Sequence, residues 1–187
     1  FISNAGFVVT PAGVVVIDAL GSPALASRLL GEIRKVTPKP VTHVIVTHYH
    51  ADHIYGLQTL RQHGAKVIAH RSAGEYLSSD LARQRLENSR REMAPWVNAE
   101  TVLVPPDQAL DGDLNLNVGS TSFVIRHVGP AHTPEDLVVY VPSEKVLFAG
   151  DLVFRNRVPF VGQADSKRWI RSLETLLAFD ASTIIPG

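Results

Sequence analysis

The 187-residue sequence predicts a mixed α/β (α+β) fold in which two β-sheets pack together with helices outside. Two observations lead to this prediction. The first half alternates β-branched strands with helical segments, and the second half is a series of short strands followed by a helix and a strand. Hydrophobic residues make up 45% of the chain, enough for one domain over residues 1–187 with a packed core.

The chain begins with two predicted strands. Gly6 to Thr10 and Gly13 to Leu20 are β-branched runs separated by Pro11-Ala12, a pattern typical of a hairpin or of two neighbouring strands. Ser22-Pro23 then has the form of an N-cap followed by proline at the first helical position. It predicts an amphipathic helix that continues to about Val36.

The next segment predicts a strand, a short helix, a second strand and a long helix. Val41 to Thr47 is a short, mostly apolar run of the kind that forms a buried strand. Ile54 to His63 suits a short helix, and Ala65 to His70 suits a further strand. Ser72 to about Met93 is predicted to be one long charged helix with leucines along one side.

From Thr101 onward the sequence predicts short strands between proline, glycine, aspartate and asparagine turns. These strands are TVLV, LNLNV, TSFVIRHV, DLVVYV and KVLFAG, at residues 101–104, 114–118, 121–128, 136–141 and 145–150. Residues 166–179 then predict a helix, and residues 182–185 predict a last strand. Chemistry is expected on the loops at the strand ends.

Composition excludes several classes of function. Eighteen Lys+Arg balance eighteen Asp+Glu, which argues against a nucleic-acid partner because such proteins neutralise phosphates with an excess of basic residues. No apolar run approaches the ~20 residues that span a bilayer, so we expect no membrane partner. Cysteine is absent, which excludes disulfides, thiolate ligands and cysteine nucleophiles. The compartment and the oligomeric state are not determined by the sequence.

The stretch THYHADH, residues 47–53, concentrates three histidines and an aspartate at the end of a predicted strand. His48 and His50 are two residues apart and can face one ion together, whereas Asp52 and His53 can point to a second position nearby. Imidazole and carboxylate are ligands of zinc, and also of iron or manganese. A lone histidine at a strand end is usually an ordinary polar residue, but this density favours metal binding.

One turn does not complete a catalytic metal site, because catalytic zinc normally takes three protein ligands and keeps a position for water. Two later strand ends offer further ligands. His132 lies in GPAHTPED and Asp151 lies in KVLFAGD, each after an apolar strand and turn-forming residues. We therefore predict that both side chains reach the same centre as the histidine turn.

Together these segments resemble the metallo-β-lactamase superfamily. The segments GFVVTPAGVVVIDAL, THYHADH with a following Gly56-Leu57, GPAHTPED, LFAGD and a terminal IIPG occur in the family's order and cover nearly the whole chain. The resemblance implies a four-layer αββα sandwich with a dinuclear site in a cleft at one edge of its sheets. Two Zn²⁺ ions per chain are expected, with iron or manganese as other possible metals.

The resemblance also implies which residues bind the two ions. The implied ligands are His48, His50 and His132 for the first ion, Asp52 and His53 for the second, and Asp151 as a bridge between them. The family's remaining ligand is a histidine directly after the final Pro-Gly, and this sequence stops at Gly187. We therefore expect a chain truncated before that ligand and before a last helix and strand.

An acidic residue outside the ligand set is expected to support it. Asp18 ends the GVVVID run, where family members place an acidic residue beneath the metal turn. Outer hydrogen bonds of this kind orient metal ligands and tune their basicity. The alternative interpretation is an ordinary strand-end aspartate that caps the following turn.

Hydrolysis of a small-molecule ester, thioester or lactam by an activated hydroxide is the expected reaction. Asp52 is the expected catalytic residue, because it can orient the nucleophile and later handle its proton. Zinc β-lactamases with the most similar GPAHTPED segment have cysteine where this chain has Asp151. An aspartate at this position instead resembles the arrangement in the thioesterase-type glyoxalase II enzymes and in other general hydrolases.

Alternatives to this hydrolase remain open. His48, His132 and Asp151 could bind a single iron, as in the persulfide dioxygenases of the superfamily, or the chain could be a metallo-β-lactamase proper. A nuclease is disfavoured by the balanced charge.

Arg155 and Arg157 could bind a substrate carboxylate as a planar fork, although a short Arg-x-Arg segment is more often solvated surface.

Overall fold

The N-terminal part of the chain forms the first of two sheets. The computed structural model describes residues 3–187. The strands of this sheet are β1 (Gly6–Thr10), β2 (Gly13–Ile17), β3 (Val41–Ile45), β4 (Lys66–His70) and β5 (Gln108–Leu110). They lie side by side in that order, with β1 and β2 antiparallel and the other neighbours parallel. The carboxyl ends of β2, β3 and β4 therefore share one edge.

The second sheet follows in sequence. Its strands are β6 (Leu114–Val118), β7 (Thr121–His127), β8 (Leu137–Val141), β9 (Val146–Gly150) and β10 (Thr183–Pro186). They lie in the order β10-β9-β8-β7-β6, with β6 to β9 antiparallel and β10 parallel to β9. Because alternate antiparallel strands run the same way, the carboxyl ends of β7, β9 and β10 lie at one edge.

Six helices in residues 3–187 complete the fold. They are α1 (Pro23–Val36), α2 (Ala51–Ile54), α3 (Leu57–Gln62), α4 (Arg71–Leu77), α5 (Asp80–Glu92) and α6 (Ser166–Leu177). The helix α1 begins and ends as predicted, and the Ser22 hydroxyl accepts a hydrogen bond from the Leu25 N–H at 3.2 Å. Within the described range, no helix is both long and apolar enough to traverse a lipid bilayer.

Apolar side chains define four layers. The inner faces of the two sheets meet in one core, formed by residues such as Ile17, Ile45, Ile68, Phe123, Ile125 and Val139. A second cluster joins the outer face of the first sheet to the helices α1, α3, α4 and α5, with Leu30, Ile33, Leu60, Leu77 and Leu86 among its members. The helix α6 covers the second sheet through Trp169 and Leu176. The αββα prediction is confirmed.

The long helix predicted from Ser72 to Met93 is wrong in one respect, because two helices occupy this segment. The break lies at Ser78-Ser79, between α4 and α5. The Ser79 hydroxyl accepts a hydrogen bond from the N–H of Ala82 at 3.1 Å and so caps a new helix. The leucine spacing did not reveal this break because Leu77 of α4 and Leu86 of α5 belong to the same apolar cluster, although Leu81 is exposed.

Two other element predictions also need correction. The segment predicted as one helix from Ile54 to His63 is interrupted at Tyr55-Gly56, so that α2 and α3 are separate. A Cβ atom on Gly56 would lie 1.9 Å from the Ala19 carbonyl oxygen, so the chain turns where it touches the end of β2. The TVLV segment, 101–104, forms no strand, and its place in the sheet is taken by β5.

Candidate metal centre

Loops from both sheets meet at one edge of the sandwich. The turn THYHADH follows β3, the GPAHTPED loop joins β7 to β8, and Asp151 directly follows β9. The N–H of Leu137 donates a hydrogen bond to the Thr47 carbonyl at 2.9 Å, which ties the two sheets together beside these loops. The topology therefore brings three separate segments to one place.

Four side chains from these segments converge. The ligand atoms of His48, His50, His132 and Asp151 all lie within 4.8 Å of one another. The Nδ1 atom of His50 lies 3.1 Å from His48 Nε2 and 2.9 Å from His132 Nε2. Three imidazole nitrogens thus point into one small space. His48, His132 and Asp151 are buried, whereas His50 is half-buried and faces the cleft above.

The two carboxylate oxygens of Asp151 face different histidines. Its Oδ2 atom lies 3.4 Å from His132 Nε2 and 4.0 Å from His48 Nε2. Its Oδ1 atom lies 3.2 Å from Nε2 of His53, which is buried on the other side. Asp151 therefore stands between the group of three histidines and His53.

Asp18 holds this arrangement from beneath. Its Oδ2 atom accepts a hydrogen bond from the Thr47 hydroxyl at 2.8 Å and lies 2.9 Å from Nδ1 of His53. Its Oδ1 atom accepts a hydrogen bond from the Thr47 N–H at 2.8 Å. Asp18 is buried and has a φ of 61°, a left-handed conformation that aspartate and asparagine tolerate better than most residues. The carboxylate thus fixes both the turn and one of its histidines.

Burial and mutual repulsion keep three of the histidines neutral. The pKa of His50 is lowered to about 3, mainly by burial and also by the charges of His132 and His53. Burial likewise lowers the pKa of His48 well below its usual range, and it lowers the pKa of His132. Neutral imidazole carries the lone pair that a metal ion requires. The three converging nitrogens are therefore set up as electron-pair donors.

His53 is different because it lies between two carboxylates. Burial by itself lowers its pKa, but the charge of Asp18 and the proximity of Asp151 outweigh burial and raise the pKa to about 10. Burial raises the pKa of Asp151, and the neighbouring His53 reverses that effect and lowers it. Without a bound cation, the positive charge at this point is a proton on His53.

The polar atoms without partners fit a metal ion. Within residues 3–187, the buried side-chain nitrogen and oxygen atoms that make no hydrogen bond are His53 Nε2, Asp151 Oδ1 and Glu135 Oε2. The first two face each other beside the three-histidine group. A buried polar atom without a partner costs free energy, and a cation at this point would satisfy both. The donors present are those that zinc accepts when no sulfur is available.

A cleft of about 420 Å³ opens above the cluster. Its floor includes His50, Asp52 and Asp151, its first wall is formed by α4 and α5, and its second wall is the loop after β9. The Asp52 side chain lines the cleft and does not join the group of four converging ligands. Arg157 also lines the cleft, whereas Arg155 is exposed and is not among its lining residues. The substrate-binding roles of both arginines stay predictions.

The sequence alone did not single out Glu135 and Tyr49, two residues that brace the site. The Tyr49 N–H donates a hydrogen bond to Oε1 of Glu135 at 2.9 Å, which connects the GPAHTPED loop to the histidine turn. The pKa of Glu135 is raised to about 8, mainly by burial and also by the charge of the nearby Asp136. The only sequence signal was a pair of adjacent acids within an otherwise apolar loop-strand junction.

Replacing Glu135 with glutamine is expected to flatten the pH dependence of stability in the metal-free protein. The folded-state pKa, about 8, lies above the ordinary value of 4.5. The stability from the neutral acid is therefore complete below the ordinary value and is lost as pH rises through 8. Between about pH 5.5 and 8, we expect the wild-type free energy of unfolding to fall more than that of Glu135→Gln, by on the order of 2 kcal/mol.

Urea unfolding at both pH values in the presence of a chelator measures this difference. The matched control is Glu144→Gln, because Glu144 is exposed and loses the same charge. The control is expected to follow the wild-type pH profile. An identical profile for Glu135→Gln would show that Glu135 does not titrate with a raised pKa.

The layers and the edge site together define a class of protein: an αββα sandwich with a His/Asp cluster suited to metal. A sequence model described as the Metallo-beta-lactamase superfamily matches residues 1–187. The chain belongs to the metallo-β-lactamase superfamily.

Comparisons with individual proteins agree with this family assignment. A metallo-beta-lactamase type 2 of Bacillus cereus is 30% identical over 190 residues, covering 99% of this chain and 66% of the relative. A linear primary-alkylsulfatase of a Pseudomonas species is 22% identical, covering 94% of this chain and 39% of the relative. The solved structure of a metallo-beta-lactamase from Pontibacter korlensis matches with a TM-score of 0.76 at 26% identity, covering 96% of this chain and 76% of that one. The chain therefore spans less than two thirds of the length of these curated relatives.

Proposed function

We propose that this protein is a metal-dependent hydrolase that cleaves an ester, thioester or lactam carbonyl in a small-molecule substrate. The observation that carries the proposal is the convergence of His48, His50, His132 and Asp151 within 4.8 Å at the floor of an open cleft. Zinc bound there would supply Lewis acidity and lower the pKa of a coordinated water to near neutrality. Open space above the donors leaves room for water and substrate.

We further propose two zinc ions per chain. His48, His50 and His132 would hold the first ion, and Asp52 and His53 would hold the second. The placement of Asp151 supports a bridging role, because one of its oxygens faces His132 and the other faces His53. Asp18 would fix the His53 ring through Nδ1, leaving Nε2 as the donor atom.

The end of β10 lies beside the proposed bridging carboxylate of Asp151. The N–H of Gly187 donates a hydrogen bond to the Gly150 carbonyl at 2.8 Å, just before Asp151. A Cβ atom on Gly187 would lie 2.1 Å from Asp151 Oδ1, so β10 delivers its end directly to the site.

Asp52 is the proposed catalytic residue. Its side chain lines the cleft beside the donor cluster, with access to both solvent and substrate. The Ser3 hydroxyl donates a hydrogen bond to the Asp52 carbonyl oxygen at 2.6 Å, which holds the backbone at this point. From this position the carboxylate would orient the attacking water and afterwards carry its proton toward the leaving group.

Metal content and turnover test the proposal together. We expect about two zinc ions per chain, and hydrolysis of an aryl ester, an acyl thioester or a cephalosporin that is lost with a chelator and restored by zinc. Mass spectrometry of the metals and absorbance assays measure these quantities. One iron per chain with oxygen consumption and no hydrolysis would instead identify a dioxygenase.

A further inference from the structure

An arginine in the cleft wall has no place in the hydrolytic chemistry proposed above. Arg85 lies on α5 and lines the same cleft as His50, Asp52 and Asp151. Its side chain is half-buried, unlike the exposed Arg83 and Arg91 of the same helix. Partial burial of a charged guanidinium costs solvation free energy, so its position beside the donor cluster needs an explanation.

A stack of rings fixes the position of Arg85. Its Nη1 atom donates a hydrogen bond to the Tyr76 hydroxyl at 3.3 Å, and its Cζ atom lies 5.5 Å from the centre of the Tyr76 ring. Tyr76 stacks on Tyr49 with the ring centres 4.0 Å apart, and the Tyr49 ring meets His50 edge-on at 5.0 Å. An unbroken line of contacts thus connects the guanidinium to the donor cluster.

The guanidinium of Arg85 has different partners from those of the neighbouring arginines. Neighbouring arginines on α5 make ion pairs, Arg83 with Asp80 at 2.5 Å and Arg90 with Glu87. In the portion of the chain that the structure covers, Arg85 makes no ion pair, and its partners are the phenols of Tyr76 and Tyr49. A planar guanidinium keeps its charge at all physiological pH values and binds anions with two parallel hydrogen bonds.

The rest of the cleft completes a site for an anion with an apolar part. Phe154, Val158 and Phe160 lie on the opposite wall, and the guanidinium carbon of Arg157 lies 4.8 Å from the Phe154 ring centre.

We propose that Arg85 binds an anionic group of the substrate, such as a carboxylate, sulfate or phosphate, while the scissile bond lies over the histidine cluster. This inference rests on the proposed hydrolase function and narrows it to substrates that carry a negative charge. Tyr76 is a positioning residue, because it holds the guanidinium against the cleft wall. The apolar wall on the other side accommodates the uncharged part of the same molecule.

Two esters with the same leaving group test the proposal: neutral 4-nitrophenyl acetate and anionic mono-4-nitrophenyl glutarate. We expect Arg85→Gln to lower the ratio of kcat/KM for the anionic ester to that for the neutral ester by about tenfold or more, mainly through KM. Arg85→Lys should lower this ratio less, because lysine keeps the positive charge and lacks only the planar fork of the guanidinium. The matched control is Arg83→Gln, which removes one positive charge from the exposed side of α5 and should keep the wild-type ratio.

Direct binding separates this inference from the hydrolase proposal. Calorimetric titration with benzoate and with neutral benzamide needs no turnover, and Arg85→Gln should weaken benzoate binding alone by about tenfold. Equal losses for both ligands, or an equal effect of Arg83→Gln, would overturn the role of Arg85. If the wild type hydrolyses neither ester while benzoate binding still depends on Arg85, the anion site stands and the hydrolase proposal fails.

Discussion

His50→Ala is expected to reduce kcat/KM for ester hydrolysis by more than about 100-fold while the fold stays intact. Changes to outer partners of metal ligands already cost about 10–100-fold, so the loss of a donor atom should cost more. His50 Nδ1 is the atom closest to both His48 Nε2 and His132 Nε2, and its removal leaves two nitrogens to hold the first ion. The backbone should tolerate the change, because the His50 side chain makes no capping hydrogen bond at the start of α2.

His63→Ala is the matched control for this experiment. His63 is exposed at the end of α3, so the same side chain is removed away from the cleft. The control should keep wild-type kcat/KM and zinc content, whereas His50→Ala should lose both activity and about one zinc ion per chain. Circular dichroism would report the fold of each variant. Full turnover by His50→Ala would reject the site assignment.

Asp18→Asn is expected to weaken zinc affinity and kcat/KM by about 10–100-fold. The carboxylate accepts a hydrogen bond from the His53 Nδ1 proton at 2.9 Å, so that Nε2 would be the nitrogen that offers its lone pair to zinc. An amide can place its NH₂ group at that point, and the ring must then expose Nδ1 as an acceptor and carry its proton on Nε2. Asparagine fits the left-handed backbone at this position, so the effect arises from the lost charge and not from strain.

Competition with a chromophoric chelator measures the zinc affinity of the Asp18 variant. The matched control is Asp107→Asn, since Asp107 also accepts a backbone N–H, that of Val67 at 2.8 Å, but lies near the protein surface. Zinc binding should be unchanged in the control. Equal affinity in Asp18→Asn and the wild type would mean that Asp18 only caps the turn after β2, the alternative that the sequence left open.

The sequence was most informative where chemistry and local structure coincide. THYHADH is seven consecutive residues, so its donors are neighbours whatever the rest of the chain does. His132 and Asp151 were predictable because apolar strands precede them, and strands of one direction end at one edge of a sheet. The hairpin, the start of α1 and the layered order followed from β-branched runs and capping residues in the same way.

Long-range packing set the limit of prediction. TVLV has the composition of a strand, but the N–H of Val102 donates its hydrogen bond to the Gln58 side chain at 2.7 Å, and two prolines follow. Arg85 looked like any other charged residue on a helix rich in arginine. Only the break at Ser78-Ser79 turns α5 so that this one side chain lies against Tyr76. A helix that continued straight from α4 would direct it differently.

The donors at the edge of the sandwich are divided between its two halves. His48, His50 and His53 follow β3 of the first sheet, whereas His132 and Asp151 follow β7 and β9 of the second. An ion shared by both sets would therefore act as a cross-link between sheets that otherwise meet through apolar packing and a few hydrogen bonds, such as those from Leu137 to Thr47 and from Tyr49 to Glu135. At 100 times its Kd such an ion adds about 2.7 kcal/mol to the free energy of unfolding. Catalytic competence and the cohesion of the sandwich would then depend on the same few bonds.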